Sequence, residues 1–248
     1  MKKKISFIVS FVFCLQLCFA QNYKIEYKAS IVGFDLNTEQ GEKLGKTQKA
    51  FVRNLNRKNE KLSELITIEV ISNSDSYMIS FSDVMLIDGL NGSDLKTAKY
   101  GISAFPRIYN RDGVSFGFSS SFDDVAVKSI SKGYFNWEIT KVSKTILGYK
   151  CFKAVSVINE GYKLPDRVFI PEEVWFAPEL NFIASPGVFG DVPGAILEYK
   201  TGRALIKAIS VNQTDREVKE LVLEDYETIS YKTYNERIRE RSNKMFNN

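Results

Sequence analysis

The sequence contains no histidine among its 248 residues. This absence removes the usual base of Ser–His–Asp and Cys–His catalysis. Cysteine occurs only three times, and only Cys151 lies beyond the first 20 residues. Without histidine and with one cysteine, the usual ligands of zinc and copper are missing, and a lone thiol cannot form an internal disulfide. We therefore expect a protein without a cofactor or a metal.

Long apolar runs are also scarce, and the main one lies at the amino terminus. Three lysines, Lys2 to Lys4, precede the apolar run Ile5 to Leu17, and a small residue, Ala20, follows it. This order predicts a secretory signal peptide over residues 1–20, cleaved near Ala20. Lipid attachment at Cys18 is the alternative, which the bulky preceding Leu17 disfavours. No later run is long enough for a transmembrane helix, so we expect an extracytoplasmic protein that is periplasmic, outer-membrane associated or secreted.

An excess of basic charge is missing once the leader is set aside. The whole chain carries a formal net charge of +4, and loss of the three leader lysines lowers it to +1. A nearly neutral protein lacks the electrostatic attraction that non-specific nucleic-acid binding requires. We therefore expect no nucleic-acid partner.

What the chain does have is a repeated β pattern. Tyr23, Ile25 and Tyr27 alternate with charged residues, which is typical of a half-buried strand, and about ten such segments follow up to residue 211. The pattern predicts a mainly β fold, with a single curved antiparallel sheet or half-barrel over residues 21–214 and a C-terminal helix or tail over residues 215–248. The helix is predicted to begin near Asp215, because apolar residues then recur at spacings of three or four. The polar stretch 37–61 is interpreted as a loop, with at most a helical turn.

Three short patterns resemble those of penicillin-recognising serine enzymes. Ser93 and Lys96 fit S-x-x-K, Tyr134 and Asn136 fit Y-x-N, and Lys200 begins K-T-G. In such enzymes the serine attacks and the lysine accepts its proton. The reading requires Ser93 at the start of a long buried helix, and the nearby glycines and proline disfavour one. A Ser93/Lys96 acyl-transfer site is therefore an unfavoured alternative.

The most distinctive segment runs from Val174 to Tyr199, where a short strand leads into a loop at 178–194 that is rich in proline, glycine and apolar residues. A loop this apolar must fold back on the sheet or cover something. One interpretation is an Ω-like loop that caps the core. The other is a lid over a ligand cavity, with Trp175 and Phe189 as candidate lining residues. The sequences Pro186-Gly187 and Pro193-Gly194 both predict turns with glycine at positive φ.

Several blocks in this region resemble the GLPGLI family. The blocks are GYKCFKA at 148–154, VWFAPE at 174–179, PG at 186–187 and VPGAILE at 192–198, within a matching region of about 134–200. The hexapeptide GLPGLI, which gives the family its name, corresponds to DVPGAI at residues 191–196, where Asp191 replaces its first glycine. The resemblance implies an antiparallel β domain in a secreted or envelope protein, and it transfers no catalytic residues. The candidate ligand-loop or family-motif residues are Cys151, Trp175, Pro178, Phe189, Pro193 and Gly194.

The leading functional hypothesis is a non-catalytic envelope-accessory module that binds an apolar, lipid-like or peptide ligand beneath the 178–194 loop. A structural module that binds an envelope partner through an exposed sheet edge is a further alternative.

Overall fold

The computed structural model describes residues 21–103, 105–119, 121–122, 124–128, 135–160 and 170–246. The predicted leader at 1–20 lies outside the described residues. So do Tyr134 and nearly all of a strand predicted at 167–170.

The described residues contain twelve strands, and all of them belong to one sheet that does not close into a barrel. The strands are β1 (Asn22–Ile31), β2 (Thr67–Ser72), β3 (Ser76–Phe81), β4 (Arg107–Arg111), β5 (Val114–Phe118), β6 (Val125–Lys128), β7 (Phe135–Ile146), β8 (Tyr149–Ile158), β9 (Pro171–Ala177), β10 (Ala195–Thr201), β11 (Ala204–Thr214) and β12 (Glu227–Ser230). The prediction of a mainly β fold built on a single sheet is confirmed.

The sheet consists of two meanders that meet at its centre, in the order β12-β6-β5-β4-β3-β2-β1-β11-β10-β9-β8-β7. The first meander runs outward from β1 to β6. The second begins at the opposite edge with β7 and returns to β11, which pairs with β1 in antiparallel fashion. The chain then crosses back, and β12 joins β6 as the one parallel pair among the described strands. The two open edges are therefore β7 and β12.

Alternation of side chains gives the sheet an inner and an outer face. The inner face carries Ile25, Tyr27, Ile68, Val70 and Tyr77, which are all inaccessible to solvent. The register places them together, because Tyr27 lies opposite Ile68 and Ile25 opposite Val70. This face forms the main core.

Alongside a short 3₁₀ helix at Leu223–Asp225, four α-helices accompany the sheet in the described part of the chain. They are α1 (Glu39–Glu42), α2 (Lys46–Leu65), α3 (Gly92–Ile102) and α4 (Tyr231–Phe246). None of them is long and apolar enough to cross a membrane.

The interpretation of residues 37–61 as a loop was wrong, because α2 occupies most of this stretch. Its sheltered side mixes apolar with polar residues, for example Leu55, Asn56, Asn59 and Leu62. Only Leu62 is fully buried. Polar residues on the packed side hide the apolar periodicity that would otherwise have indicated a helix.

Helix α3 begins at Asn91-Gly92, a residue pair that is common in turns. The side chain of Asn91 accepts hydrogen bonds from the backbone N–H groups of Ser93 and Asp94, at 2.9 and 3.0 Å. The carboxylate of Asp94 in turn accepts one from the N–H of Asn91, at 3.1 Å. Asn91-Gly92 is thus the start of a capped helix, and the spacing of Asn91 and Asp94 was the signal for it.

The C-terminal helix is confirmed, but it begins at Tyr231 and not near Asp215. Val218, Leu221 and Tyr226 lie before it, in a mostly irregular segment that packs against Tyr109, Phe116 and Phe118 on the outer face of β4 and β5. Their apolar spacing therefore reflects burial against a sheet. Ile229, which seemed to continue the helical pattern, belongs to β12.

Candidate functional site

The 178–194 loop packs tightly on the inner face of the sheet. The side chains of Leu180, Phe182, Phe189 and Val192 are all less than 8% exposed. Such burial is typical of core residues. The loop is thus an integral layer of the core.

Hydroxyl groups of the sheet fasten this loop through its backbone. Tyr77 donates to the carbonyl of Gly187 at 3.2 Å, and Ser72 donates to the carbonyl of Ile183. Just beyond the loop, Tyr27 donates to the carbonyl of Ile196 at 2.7 Å. Because Tyr27 and Tyr77 are fully buried, desolvation raises the pKa of both phenols, and they remain neutral donors at physiological pH.

Two aromatic contacts fill the space between the loop and the sheet. Tyr23 of β1 stacks on Phe182, with ring centroids 4.1 Å apart. Tyr199 of β10 lies so close to Gly187 that a Cβ there would be 2.6 Å from its hydroxyl oxygen. Gly187 does not adopt a positive φ, so the predicted turn conformation was wrong at this position. Its glycine is required by the close approach of the tyrosine.

The structure does not bring Trp175 and Phe189 together. Trp175 lies on β9 opposite Glu198 of β10, on the outer face. There the Lys144 ammonium sits 4.1 Å from the centroid of its ring and pairs with Glu198 at 2.8 Å. Phe189 packs on the inner side against Phe135, with ring centroids 5.1 Å apart.

The remaining candidate residues from the loop and the family motif each occupy a position that the fold explains. Pro178 and Pro193 are exposed at the two ends of the loop. Gly194 has φ +133°, in agreement with the turn prediction, and a Cβ there would lie 2.3 Å from the carbonyl oxygen of Ala177. Cys151 is fully buried on β8, and desolvation raises the pKa of its thiol to about 11. A thiol in this state is a poor nucleophile at neutral pH.

The residues of the acyl-transfer alternative are dispersed. Ser93 and Lys96 are both exposed on α3, and no hydrogen bond joins them in the described ranges. Lys200 lies on β10 and pairs with Glu172 at 3.3 Å. Ser93 does lie in the first turn of a helix, which the sequence had disfavoured, but that helix has only 11 residues.

Strand β7 forms one open edge of the sheet. It is 12 residues long and mostly exposed, and Ile139 and Val142 are more than half exposed. A register shift between Ile139 and Ser143 interrupts its pairing with β8, and Lys141 and Lys144 lie in the same stretch. Bulges and lysines are common means of blocking edge-to-edge pairing. Partner binding through this edge stays a prediction.

A cleft of about 610 Å³ opens between α3 and α4. Its walls include Leu95, Lys96 and Lys99 of α3, Pro106, and Tyr234 and Ile238 of α4. The hydroxyls of Ser119 and Tyr234 meet at 3.0 Å in its buried part. The volume lies within the range of small-molecule sites in proteins, and the combination of apolar walls with a few polar groups is typical of them.

A second cleft, of about 700 Å³, lies between β1 and α2. Its lining is more polar and includes Lys28, Glu60 and Glu64. The Asn56 amide closes one side by bonding both the N–H and the carbonyl of Phe34, at 3.1 and 2.9 Å. Because a smaller share of this lining is apolar than in the α3–α4 cleft, the α3–α4 cleft is the better candidate for an apolar ligand.

Sequence reasoning missed the α3–α4 cleft because its walls come from distant parts of the chain; Ser119 and Tyr234, for example, are 115 residues apart. One local signal was present. Leu95, Lys96 and Lys99 lie at spacings that place them on one side of a helix, as do Tyr234 and Ile238. The described residues contain no group of three or more acidic or cysteine side chains that could hold a metal ion.

Comparison with known proteins gives one family match. The family model described as the N-terminal domain of N-glycanase peptide matches residues 121–236. Two solved structures of PNGF-II, in space groups P21 and C2, are each 19% identical to this chain and cover 88% of it, with TM-scores of 0.49 and 0.47. The chain spans about a third of their length, 33% and 32% respectively. A search of curated proteins finds no match.

The family match overturns the resemblance to the GLPGLI family. The matched region contains all the blocks on which that resemblance was based, yet the model that fits them is the N-glycanase one. The blocks consist of strand residues and Pro-Gly turns. Such features are dictated by local backbone geometry and recur in unrelated β proteins, so they were not specific enough to identify a family.

Proposed function

We propose that this chain is a non-catalytic, extracytoplasmic binding module that holds an apolar, lipid-like ligand in the α3–α4 cleft. The observation that carries the proposal is the cleft itself, which combines about 610 Å³ of volume with apolar walls from two helices. Sites of this kind bind small molecules mainly by removing apolar surface from water.

The α3–α4 cleft differs from the ligand position expected from the sequence, which was the space beneath the 178–194 loop. The 178–194 loop is packed by its own side chains and by the tyrosines of the sheet. Placing a ligand beneath it would require those contacts to open. The α3–α4 cleft needs no such rearrangement.

The non-catalytic part of the proposal is supported by the separation of Ser93 and Lys96 from Lys200, which is engaged by Glu172. The family model that matches residues 121–236 is described as the N-terminal domain of N-glycanase peptide. We therefore propose an accessory role for this chain. Purified leader-free protein should release no N-glycans from a denatured glycoprotein, and release above a no-protein blank would overturn the non-catalytic assignment.

The cleft can be tested with a neutral fluorescent apolar probe, N-phenyl-1-naphthylamine. We expect the leader-free protein to bind it saturably with a blue shift of its emission. Gly92 lines the cleft, and a Cβ there has no heavy atom within 4 Å. Gly92→Ala should therefore fit and bind like the parent, whereas the larger side chain of Gly92→Trp should occupy part of the cleft and weaken binding about tenfold or more. Equal binding by all three proteins would refute the site.

A further inference from the structure

We infer that the α3–α4 cleft takes single-chain amphiphiles that end in a carboxylate, and that Lys99 and Lys96 select for that group. The inference rests on the proposed function and specifies its ligand class.

The distribution of charge around the cleft is one-sided. Lys96 and Lys99 lie one turn apart on α3, on the side that faces the cleft. None of the described lining residues is an aspartate or a glutamate. Leu95, Pro106 and Ile238 supply the apolar part of the wall. A ligand that matches both parts needs an alkyl chain and a negative head group.

Lys99 is the more informative of the two lysines, because it is partly buried and yet has no carboxylate within salt-bridge distance in the described structure. Its ammonium is 3.4 Å from the carbonyl oxygen of Ser82 and 5.4 Å from the centroid of the Phe81 ring. These are weak partners for a charge that is partly removed from water. Burial lowers the pKa of Lys99, and only the more distant Asp83 opposes this effect. A bound carboxylate would supply the missing counter-charge.

In the part of the chain that the structure describes, a nearby lysine on α2 has the ion pair that Lys96 and Lys99 lack. Lys58 of α2 reaches both carboxylate oxygens of Asp94 at 2.9 Å. That pair uses the acidic side chain at the start of α3, so Asp94 is engaged away from the cleft lysines. Lys96 is exposed at the cleft and has no ion pair among the described residues. Both cleft lysines can therefore accept an incoming anion without first breaking an internal salt bridge.

A carboxylate is favoured over a neutral polar head by the energetics of this arrangement. A charge-assisted hydrogen bond to a partly buried ammonium is stronger than one between neutral groups. The difference corresponds to about a tenfold to a hundredfold preference in affinity. A cationic head group should be rejected, because it would meet Lys96 and Lys99 with like charge.

Displacement of N-phenyl-1-naphthylamine tests this directly. Laurate, 1-dodecanol and dodecyltrimethylammonium share one chain length and differ in head-group charge. Each is titrated into the leader-free protein at pH 8, with laurate and the ammonium compound kept below their micelle concentrations and dodecanol below its solubility limit. We expect laurate to bind about tenfold or more tightly than dodecanol, and the ammonium compound to bind most weakly.

Substitutions of Lys96 and Lys99 test whether these two lysines cause the preference for laurate. Lys96→Met with Lys99→Met should remove the preference for laurate and leave dodecanol binding unchanged, whereas Lys99→Arg should retain it. Lys43→Met is the matched control, because Lys43 is an exposed lysine at the C-cap of α1 and does not line the cleft. Equal affinities for laurate and dodecanol in the parent protein would overturn the inference and leave the proposed function standing. Failure of all three compounds to displace a bound probe, or failure of the probe to bind, would overturn both.

Discussion

Replacing Gly194 by alanine should destabilise the protein strongly, because this glycine joins the buried loop to β10. Its φ of +133° is rarely accessible to a residue with a side chain. The new Cβ would also lie 2.3 Å from the carbonyl oxygen of Ala177 and 2.8 Å from its carbonyl carbon. Backbone strain of this kind costs about 1–3 kcal/mol, and forced overlap in a packed region costs about 1–3 kcal/mol more. The free energy of unfolding should therefore fall by about 2–6 kcal/mol.

Gly148→Ala separates the two contributions. Gly148 also has a positive φ, +87°, but a Cβ there would meet no heavy atom within 4 Å. This control should lose only the backbone part, about 1–3 kcal/mol. Urea unfolding followed by tryptophan fluorescence measures both variants, and an unchanged m-value would show that the unfolding transition itself is the same. If Gly194→Ala is no more destabilising than Gly148→Ala, the loop does not pack against β9 as described.

Three further results are expected. The Cys151 thiol, which is fully buried and has a pKa of about 11, should not react with Ellman's reagent at pH 8 until denaturant is added; immediate reaction would contradict its position. Asn91→Ala removes the cap of α3 and should cost about 1 kcal/mol of stability in urea unfolding, with Asn54→Ala on the exposed surface of α2 as a neutral control. Lys153 lowers the pKa of Glu173, so this pair stabilises the fold at pH values above the ordinary pKa of a glutamate, and the contribution is lost as the pH falls through the lowered pKa. Lys153→Met should therefore flatten the acid side of a stability–pH profile, and an unchanged profile would refute the pairing.

Most strands were predictable from the sequence because they have a clear local signature, whereas β12 was not, since Ile229 falls at a helical spacing from the apolar residues before it. The alternation around Tyr23, Ile25 and Tyr27 predicted β1, and the short strand expected before the 178–194 loop is β9. The helices were harder. In α2 the packed side includes Asn56 and Asn59, so no apolar stripe was visible.

The candidate site was less predictable, since it depends on contacts between distant parts of the chain. The sequence identified Trp175 as an important aromatic residue, but which face it occupies follows from the register of β9 against β10. Likewise, Leu95 and Ile238 face one cleft only because β12 returns to the edge of the first meander and sets α4 beside α3. Neither fact can be read from local spacing.

Photolabelling with a diazirine-bearing fatty acid tests the central claim most directly. The leader-free protein is irradiated with the probe, digested and mapped by mass spectrometry, with excess laurate as competitor. We expect competed labels on peptides from α3 and α4, around Leu95, Tyr100 and Ile238. Competed labels confined to residues 178–194 or to the β7 edge would contradict the account.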